Sequence, residues 1–467
     1  MRHLSPEGLI FRALAPDLTL RLSCSPASHS CTMPLIIQNV DGLNTQVFGE
    51  AVTVKHRHPL SLWLELQLDS GASTAVRLAA PQQMPFSFVV LGDLHGRTET
   101  LQMLPSRLSS LADRPLWLML VGDLTQSGNL SEYHAVCAAL EDVGLPVYAI
   151  PGDHDLRDNG LRWFTRLFGP AFSSFSYAGI RFLLLDTSTG LLDERQGIWL
   201  SQELDANGRK LVFTHFPLFD PRGKGAQLIS PPPPQLAARL AAGGVEATFS
   251  GHIHMYHRHE REGVQHVISG GGGSPPYARP DEGGYYHFSV VRVDQSAITV
   301  QPMVLQMDPA PGLLGAVGRT ADATFALDEL RSFPVTSGWA YCTDASGGPE
   351  AEGLWAGVAM TYLVDELGGM APADVLVATT ADGQEAIFYY DHIYSSPDAP
   401  TPSGRMILAH TVEGRSPPDL EESCSIVFLG QRSPSSTTGR VLDQYLSASA
   451  RCLHRVVHLL VKSGSPG

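Results

Sequence analysis

Three apolar runs in this 467-residue chain end in the same dipeptide. FSFVVL runs into Gly92-Asp93, LWLMLV into Gly122-Asp123, and VYAI, through Pro151, into Gly152-Asp153, so the three aspartates stand 30 residues apart. Unbroken apolar runs of this kind suit strands buried on both faces of a sheet. A spacing of roughly 30 residues matches one strand–helix unit, and helix-like stretches fill the gaps at 99–111 and 131–143. The spacing therefore predicts an α/β layered domain. Successive strands would each deliver one carboxylate to the sheet edge where ligands of open α/β sheets bind.

Later strands bring imidazoles to the same edge. LVF is followed by Thr214-His215, and ATFS by Gly251-His252-Ile253-His254. A single Gly-Asp after a strand is an ordinary turn, and a lone strand-end histidine is usually structural. Five such sites in one domain point instead to a metal centre. Carboxylate oxygens and imidazole nitrogens together suit divalent cations of intermediate hardness. Two ligand sets sharing one aspartate would hold two cations roughly 3.5–4 Å apart, a spacing that clamps a phosphoryl group. The charge balance fits: 47 acidic against 32 basic residues, net −15, argues against a nucleic-acid scaffold, which needs basic surface. Bound cations would supply the positive charge that a phosphate requires.

The order Asp-x-His, Gly-Asp, Gly-Asp-His-Asp, His, Gly-His-x-His resembles the calcineurin-like metallophosphoesterase superfamily over residues 85–303. The resemblance implies a four-layer α/β/β/α sandwich and a hydrolase of phosphate esters with two divalent ions, Mn, Fe or Zn. One ion would take Asp93, His95 and His254, the other Asp153, His215 and His252, with Asp123 bridging. It further implies attack by a metal-bridging hydroxide, with His154 as the catalytic imidazole assisting the leaving group and Asp155 orienting it. FSYAGIRFLLLDTS and QGIWLSQEL are similar to the cyclic-nucleotide phosphodiesterase and purple-phosphatase-like branches, so a small phosphodiester is expected ahead of a monoester. Gln126 does not match the tyrosine of the true purple phosphatases, so a purple iron site is not expected. One position departs from the family pattern: Asp153 stands where the ligand is usually Asn. The extra charge would neutralise the cluster, tighten metal binding, weaken anion binding and favour a trivalent iron. A weakly active or non-catalytic phosphate-ligand-binding protein on the same scaffold is the alternative.

Other residues carry looser expectations. Asn129 either touches phosphate or forms a turn. Gly271 and Gly272, in SGGGGSPPYAR, either face the substrate, where glycine allows close backbone approach, or form a flexible turn. Arg162 and Trp163 are candidates for the substrate mouth. His257 and His259 are expected to be exposed on the strand after the last motif.

The flanks differ in pattern. Residues 1–82 show period-two alternation and are expected to form a small antiparallel β module. A Pro/Gly-rich linker is expected at 304–322, then a mixed α+β domain at 323–460 whose tail, LHRVVHLLVK, has helical spacing. This last block is similar to the oxidoreductase molybdopterin-binding fold, in which a cysteine ahead of a Trp-x-Gly-Val segment ligates molybdenum. Here Cys342 precedes Trp355, Gly357 and Val358. No Lys or Arg occurs between Ser332 and Arg405, so a pterin phosphate would lack charge partners. A cofactor-free domain for protein binding or assembly is expected, with a bifunctional protein carrying molybdenum at Cys342 as the alternative. Among six cysteines there is no C-x-x-C pair. Cys24 and Cys31 are expected as free thiols ahead of a local disulfide. Neither a signal-peptide core nor a membrane-span-length apolar stretch is evident, which sets a cytoplasmic location as the expectation.

Overall fold

The computed structural model describes residues 2–5, 8–27, 29–224, 228–229, 233–307, 312–343, 349–394, 405–415, 423–429 and 452–463. The chain divides into two compact units, one of residues 1–221, 228–273 and 278–305, the other of residues 222–227, 274–277 and 306–467.

The first unit opens with eight strands: β1 (Arg2–Ser5), β2 (Gly8–Arg12), β3 (Leu18–Ser23), β4 (Cys31–Gln38), β5 (Gln46–Phe48), β6 (Val52–His58), β7 (Ser61–Leu68) and β8 (Ser73–Ala79). They form two sheets, ordered β1-β2-β4-β7-β6 and β3-β8-β5. Every pairing is antiparallel except β2 with β4. Strand β7 shows why: Leu62, Leu64, Leu66 and Leu68 alternate inward onto Val76 and Leu78, while Trp63 stands outward. Cys24 and Cys31 are joined in a disulfide, with Cα atoms 6.3 Å apart. The free thiols expected there are therefore corrected: the turn after β3 brings the two residues within bridging reach.

The layered part follows. In chain order it comprises β9 (Phe86–Leu91), α1 (Thr98–Ser109), β10 (Leu118–Val121), α2 (Leu130–Val143), β11 (Val147–Ile150), α3 (Leu161–Phe168), β12 (Ser173–Tyr177), β13 (Ile180–Leu184) and α4 (Glu194–Asp205). It continues with β14 (Arg209–Phe213), α5 (Pro233–Ala242), β15 (Val245–Ser250), β16 (Tyr256–Arg261), β17 (Val264–Ser269), β18 (His287–Val293) and β19 (Ile298–Val304). One sheet runs β11-β10-β9-β18-β19 and the other β12-β13-β14-β15-β17-β16. Phe86, Phe88 and Trp117 from the first sheet meet Phe182, Phe213 and Phe249 from the second in a single aromatic core. Each such side chain contributes roughly 1.5–3 kcal/mol on burial, which fixes the strands whose ends carry the site. All six residues of β9 are buried; with Phe86, Phe88 and Val90 in that core, Val89 and Leu91 face the opposite side. Helices α1 and α2 pack on each other and bury Leu101, Leu104, Tyr133 and Val136. Leu200 of α4 and Leu236 and Leu240 of α5 pack against Leu183 and Val212 of the second sheet. The architecture is an α/β sandwich with two sheets face to face. The β module joins it through Asn39, whose carboxamide donates to Val147 O at 2.9 Å and accepts from Val147 N at 2.8 Å. That pairing satisfies the open edge of β11 as a neighbouring strand would.

The second unit contains β20 (Leu313–Val317), β21 (Asp322–Ala326), α6 (Leu327–Ser332), β22 (Val335–Thr343), β23 (Pro349–Ala359), α7 (Met360–Glu366), β24 (Val375–Thr380), β25 (Glu385–Tyr389), α8 (Tyr390–Ile393), β26 (Arg405–Arg415), β27 (Cys424–Leu429) and β28 (Cys452–Lys462). They share one nine-stranded sheet. Two expectations change here. Residues 313–317, read as linker, are strand β20. The tail read as a helix is strand β28, antiparallel to β24 and β27 and parallel to β20. Periodicity cannot separate a short apolar run in a buried strand from a helical face. Cys342 lies on β22, and its side chain falls outside the described residues. Among the described residues no helix is long and apolar enough to cross a membrane.

Candidate metal centre

The residues at the strand ends turn sharply, and the backbone shows how. Asp93 and His95 after β9, Asp123 after β10 and His252 after β15 have φ of 63°, 49°, 52° and 66°. Left-handed backbone costs roughly 1–2 kcal/mol for a residue with a side chain, and it persists where surrounding structure over-determines it, often at functional sites. The glycines of the motifs make room as well as turns. A Cβ on Gly122 would collide with the His215 ring, and one on Gly152 with the Asp123 carboxylate.

These turns gather the side chains into two groups: Asp93, His95, Asp123 and His254, and Asp123, Asp153, His215 and His252. Within each, the ligand atoms lie within 4.8 Å of one another. Asp123 belongs to both. Its Oδ2 is 3.3 Å from His95 Nε2 and 3.4 Å from His215 Nε2. Asp153 Oδ1 lies 3.0 Å from His215 Nε2 and 3.1 Å from His252 Nδ1, and His254 Nε2 lies 3.6 Å from Asp93 Oδ1. The backbone N–H of His252 donates to both oxygens of Asp93, at 2.9 and 3.0 Å, which fixes that carboxylate.

The hydrogen bonding on the far side of the rings tests whether cations fit. His215 Nδ1 lies 2.9 Å from Val121 O and His95 Nδ1 2.6 Å from Gln126 Oε1. Both partners only accept, so Nδ1 carries a proton in each ring and Nε2 faces Asp123; burial opposes a second proton, but the adjacent carboxylates raise the pKa of both rings, and a cation would take that proton's place at Nε2. His95 Nε2 is buried without a hydrogen-bond partner. A buried gap lined by imidazole nitrogens and carboxylate oxygens takes positive charge, as protons on the rings or as a cation, and the donor set is one that suits a transition or zinc dication. Burial and the adjacent Asp123 oppose ionisation of Asp153, yet His252 and His215 hold its carboxyl below the usual range. The seven residues fit a pair of cations.

His154 lies beside this cluster. Its backbone N–H donates to Asp123 Oδ1 at 2.9 Å, its Nδ1 donates to Gln126 O at 2.8 Å, and its Nε2 accepts from Arg157 Nη2 at 3.1 Å. Burial, then His95, pushes its pKa down to about 4, which agrees with a neutral ring. Asp155, read as orienting that ring, does something else. Its carboxylate accepts from the backbone N–H groups of Leu124, Thr125 and Gly152 at 3.0–3.1 Å, and from the hydroxyls of Thr125 and Tyr133 at 2.9 and 3.2 Å. It ties the loop after β10 to the loop after β11, and Gln126 orients His154. Burial, then Asp123, raises the Asp155 pKa to about 6.

The looser expectations resolve as follows. Asn129 is the N-cap of α2, its Oδ1 accepting from Glu132 N at 3.0 Å, which is the turn-forming alternative. Gly271 and Gly272 are buried, and Gly272 N donates to Gly92 O at 2.8 Å while a Cβ on Gly271 would strike His287. They pack behind the Asp93 turn, not toward a substrate. Arg162 is exposed and lies over the Trp163 ring at 4.1 Å. His257 and His259, expected exposed, are half-buried on β16 against Phe219. The sequence reading missed Gln126 as the partner of two imidazoles and Arg157 as the partner of His154. The only signal for Arg157 was its i+3 spacing from His154, which a short helical turn converts into contact.

Several known proteins are similar to this chain. The chain is 27% identical over 175 residues to the mouse (Mus musculus) serine/threonine-protein phosphatase CPPED1, covering 32% of this chain and 56% of that protein. It is 28% identical over 109 residues to a probable cyclic nucleotide phosphodiesterase of Fibrobacter succinogenes, covering 21% of this chain and 41% of that one. The chain thus spans about half the length of these relatives. Among solved structures it is similar to a dimetal phosphatase from Danio rerio, at a TM-score of 0.39 and 14% identity over 52% of this chain and all of that one. It is also similar to GAP50, the anchor in the inner membrane complex of Plasmodium, at a TM-score of 0.36 and 14% identity over 48% of this chain and 85% of that one. Residues 86–256 match the calcineurin-like phosphoesterase family, and this part of the chain is a calcineurin-like phosphoesterase domain.

Proposed function

We propose that the chain hydrolyses small phosphate esters with two divalent cations, Mn, Fe or Zn, held by Asp93, His95 and His254 on one side and by Asp153, His215 and His252 on the other, with Asp123 shared. The observation that carries this reading is Asp123 Oδ2 set between the Nε2 atoms of His95 and His215. Such a pair of ions, when bound, polarises phosphoryl oxygens and lowers the pKa of a water between them. The chain's residues do the rest. Asp93 is held by the His252 amide, Gln126 holds the His95 ring, and Asp155 locks the two loops that carry Asp123 and Asp153. His154 sits on the corner beside Asp123 and Asp153 with Nδ1 bonded to Gln126 and Nε2 to Arg157, so assisting the leaving group would require a second proton at Nε2 in place of the Arg157 contact. A phosphodiester is the favoured substrate, supported by the likeness to a probable cyclic nucleotide phosphodiesterase.

The 323–460 block is read as a cofactor-free domain for a protein partner, because the 72 residues from Phe333 to Gly404 hold no Lys or Arg for a pterin phosphate. The Cys24–Cys31 disulfide supports an oxidising compartment over the cytoplasm expected from sequence. The test is metal analysis of purified protein together with p-nitrophenyl phosphate and its bis ester under Mn, Fe or Zn. Two metals per chain and turnover of the bis ester are expected. Metal or phosphate binding without turnover would favour the non-catalytic reading, and molybdenum in the preparation would restore the bifunctional one.

A further inference from the structure

We propose that Arg157 is a substrate-binding residue of this site, and that it supplies the positive charge which the ligand set with Asp153 gives up. The inference rests on the dinuclear reading above and adds a specificity to it. Asp93, Asp123 and Asp153 cancel three of the four charges of two dications, and an anionic nucleophile cancels the last. A phosphate then meets a neutral cluster and needs a cation from the protein. Arg157 is the guanidinium at the right place. It is half-buried, and its Nη2 donates to His154 Nε2 at 3.1 Å, on the side of the ring that faces Asp153, whose Oδ2 is 3.9 Å from the same nitrogen.

The local backbone holds it there. The short helical turn breaks at Arg157, where ψ is 155°, and Asp158 and Asn159 follow at φ of 46° and 59°. Gly160 N donates to Arg157 O at 2.8 Å, and that carbonyl occupies the space a Cβ on Gly128 would need. With the His154 proton committed to Gln126, Nε2 is an acceptor, so the hydrogen bonds available to an ester oxygen at this corner come from the guanidinium. A planar fork suits phosphoryl oxygens. One net positive charge beside a neutral cluster matches the single charge of a phosphodiester better than the double charge of a monoester, which assigns the substrate class on electrostatic grounds.

The test uses the full chain loaded with Mn or Zn. Its metal content is measured, inorganic phosphate binding is followed by calorimetry, and bis-p-nitrophenyl phosphate turnover is recorded. Arg157→Gln should keep two metals, weaken phosphate binding roughly 10–100-fold, as loss of a charged hydrogen bond does, and raise KM for the diester. Arg157→Lys should recover part of the binding. Asp153→Asn returns one positive charge to the cluster, so it should shrink the Arg157→Gln penalty and improve monoester relative to diester turnover. Equal phosphate binding by wild type and Arg157→Gln, both with two metals, overturns the proposal while leaving the dinuclear reading intact. The same penalty in the Asp153→Asn background overturns the charge compensation. A wild-type chain that binds no metals overturns the parent reading and this one with it.

Discussion

The two halves of the candidate metal centre are built differently. Asp93, His95, Asp123 and His254 are all buried, whereas in the other half His215 is buried and Asp153 and His252 keep 33% and 13% of their side-chain surface exposed. The buried half takes Asp93 and His95 from the loop after β9, Asp123 from the loop after β10 and His254 from the loop after β15, and it is braced from behind by Gln126 and by the His252 amide. The open half includes Asp153, which comes from the loop after β11 and faces the corner where His154 and Arg157 lie. Depth thus separates tasks. One half is closed to solvent, and the other keeps Asp153 and His252 partly exposed. This is the arrangement expected when a site must retain its ions and still admit an anion.

The strongest way to break that division is to remove what the halves share. Asp123→Ala should empty both and lower diester turnover by at least about a thousandfold, beyond the 10–100-fold typical of an outer partner; metal analysis and rates on one preparation check it. Retention of two metals would mean that Asp123 does not bridge. A narrower cut is Gln126→Leu, which takes the acceptor from His95 Nδ1. Metal affinity at the buried half should fall about 10–100-fold with the open half less affected, read as a split in two-step metal titration. Equal loss at both halves would erase the distinction drawn from burial.

The smallest effect concerns the packing behind the buried half. His287 is fully buried beside Gly271, its Nδ1 donating to Tyr285 O at 2.9 Å, and burial pushes its pKa down from 6.5 to about 4. Between those values the unfolded chain binds the proton and the folded one does not, so this residue's contribution to stability falls as pH drops from 6.5 toward 4. The gap corresponds to roughly 3 kcal/mol. His287→Gln should flatten the acid limb of stability against pH, measured by urea unfolding at pH 7 and pH 5. An unchanged slope would place the acid sensitivity elsewhere.

Much of the site was legible because each ligand sits at the end of an apolar run. The run announces a buried strand, and the strand end fixes where the next side chain goes. What followed the strand ends was harder to read. Asp155 is adjacent to His154, yet the chain turns between them, so one side chain faces the cluster and the other faces amide groups of two loops. Gln126 works through both its carboxamide and its backbone carbonyl, and neither contact leaves a mark in residue type. Arg157 needed the geometry of one short turn. In the second unit, β28 mimicked a helix because Leu453, Val456, Leu459 and Val461 keep a spacing of three, three and two, while the neighbours β24 and β27 that make it a strand lie far away in sequence. The Cys24–Cys31 bridge depended on the turn between β3 and β4, which composition does not describe.

One oxygen touching two nests has a thermodynamic corollary. The Asp123 side chain is already held by the His154 amide, so a first ion would gain a prepared seat while its charge opposed a second across the shared oxygen. Occupancies of the two positions would then be linked, each lowering the other by the same factor. Uptake against free ion concentration should spread over a wider range than two equal separate sites would give, and dilution should strip one ion before the other.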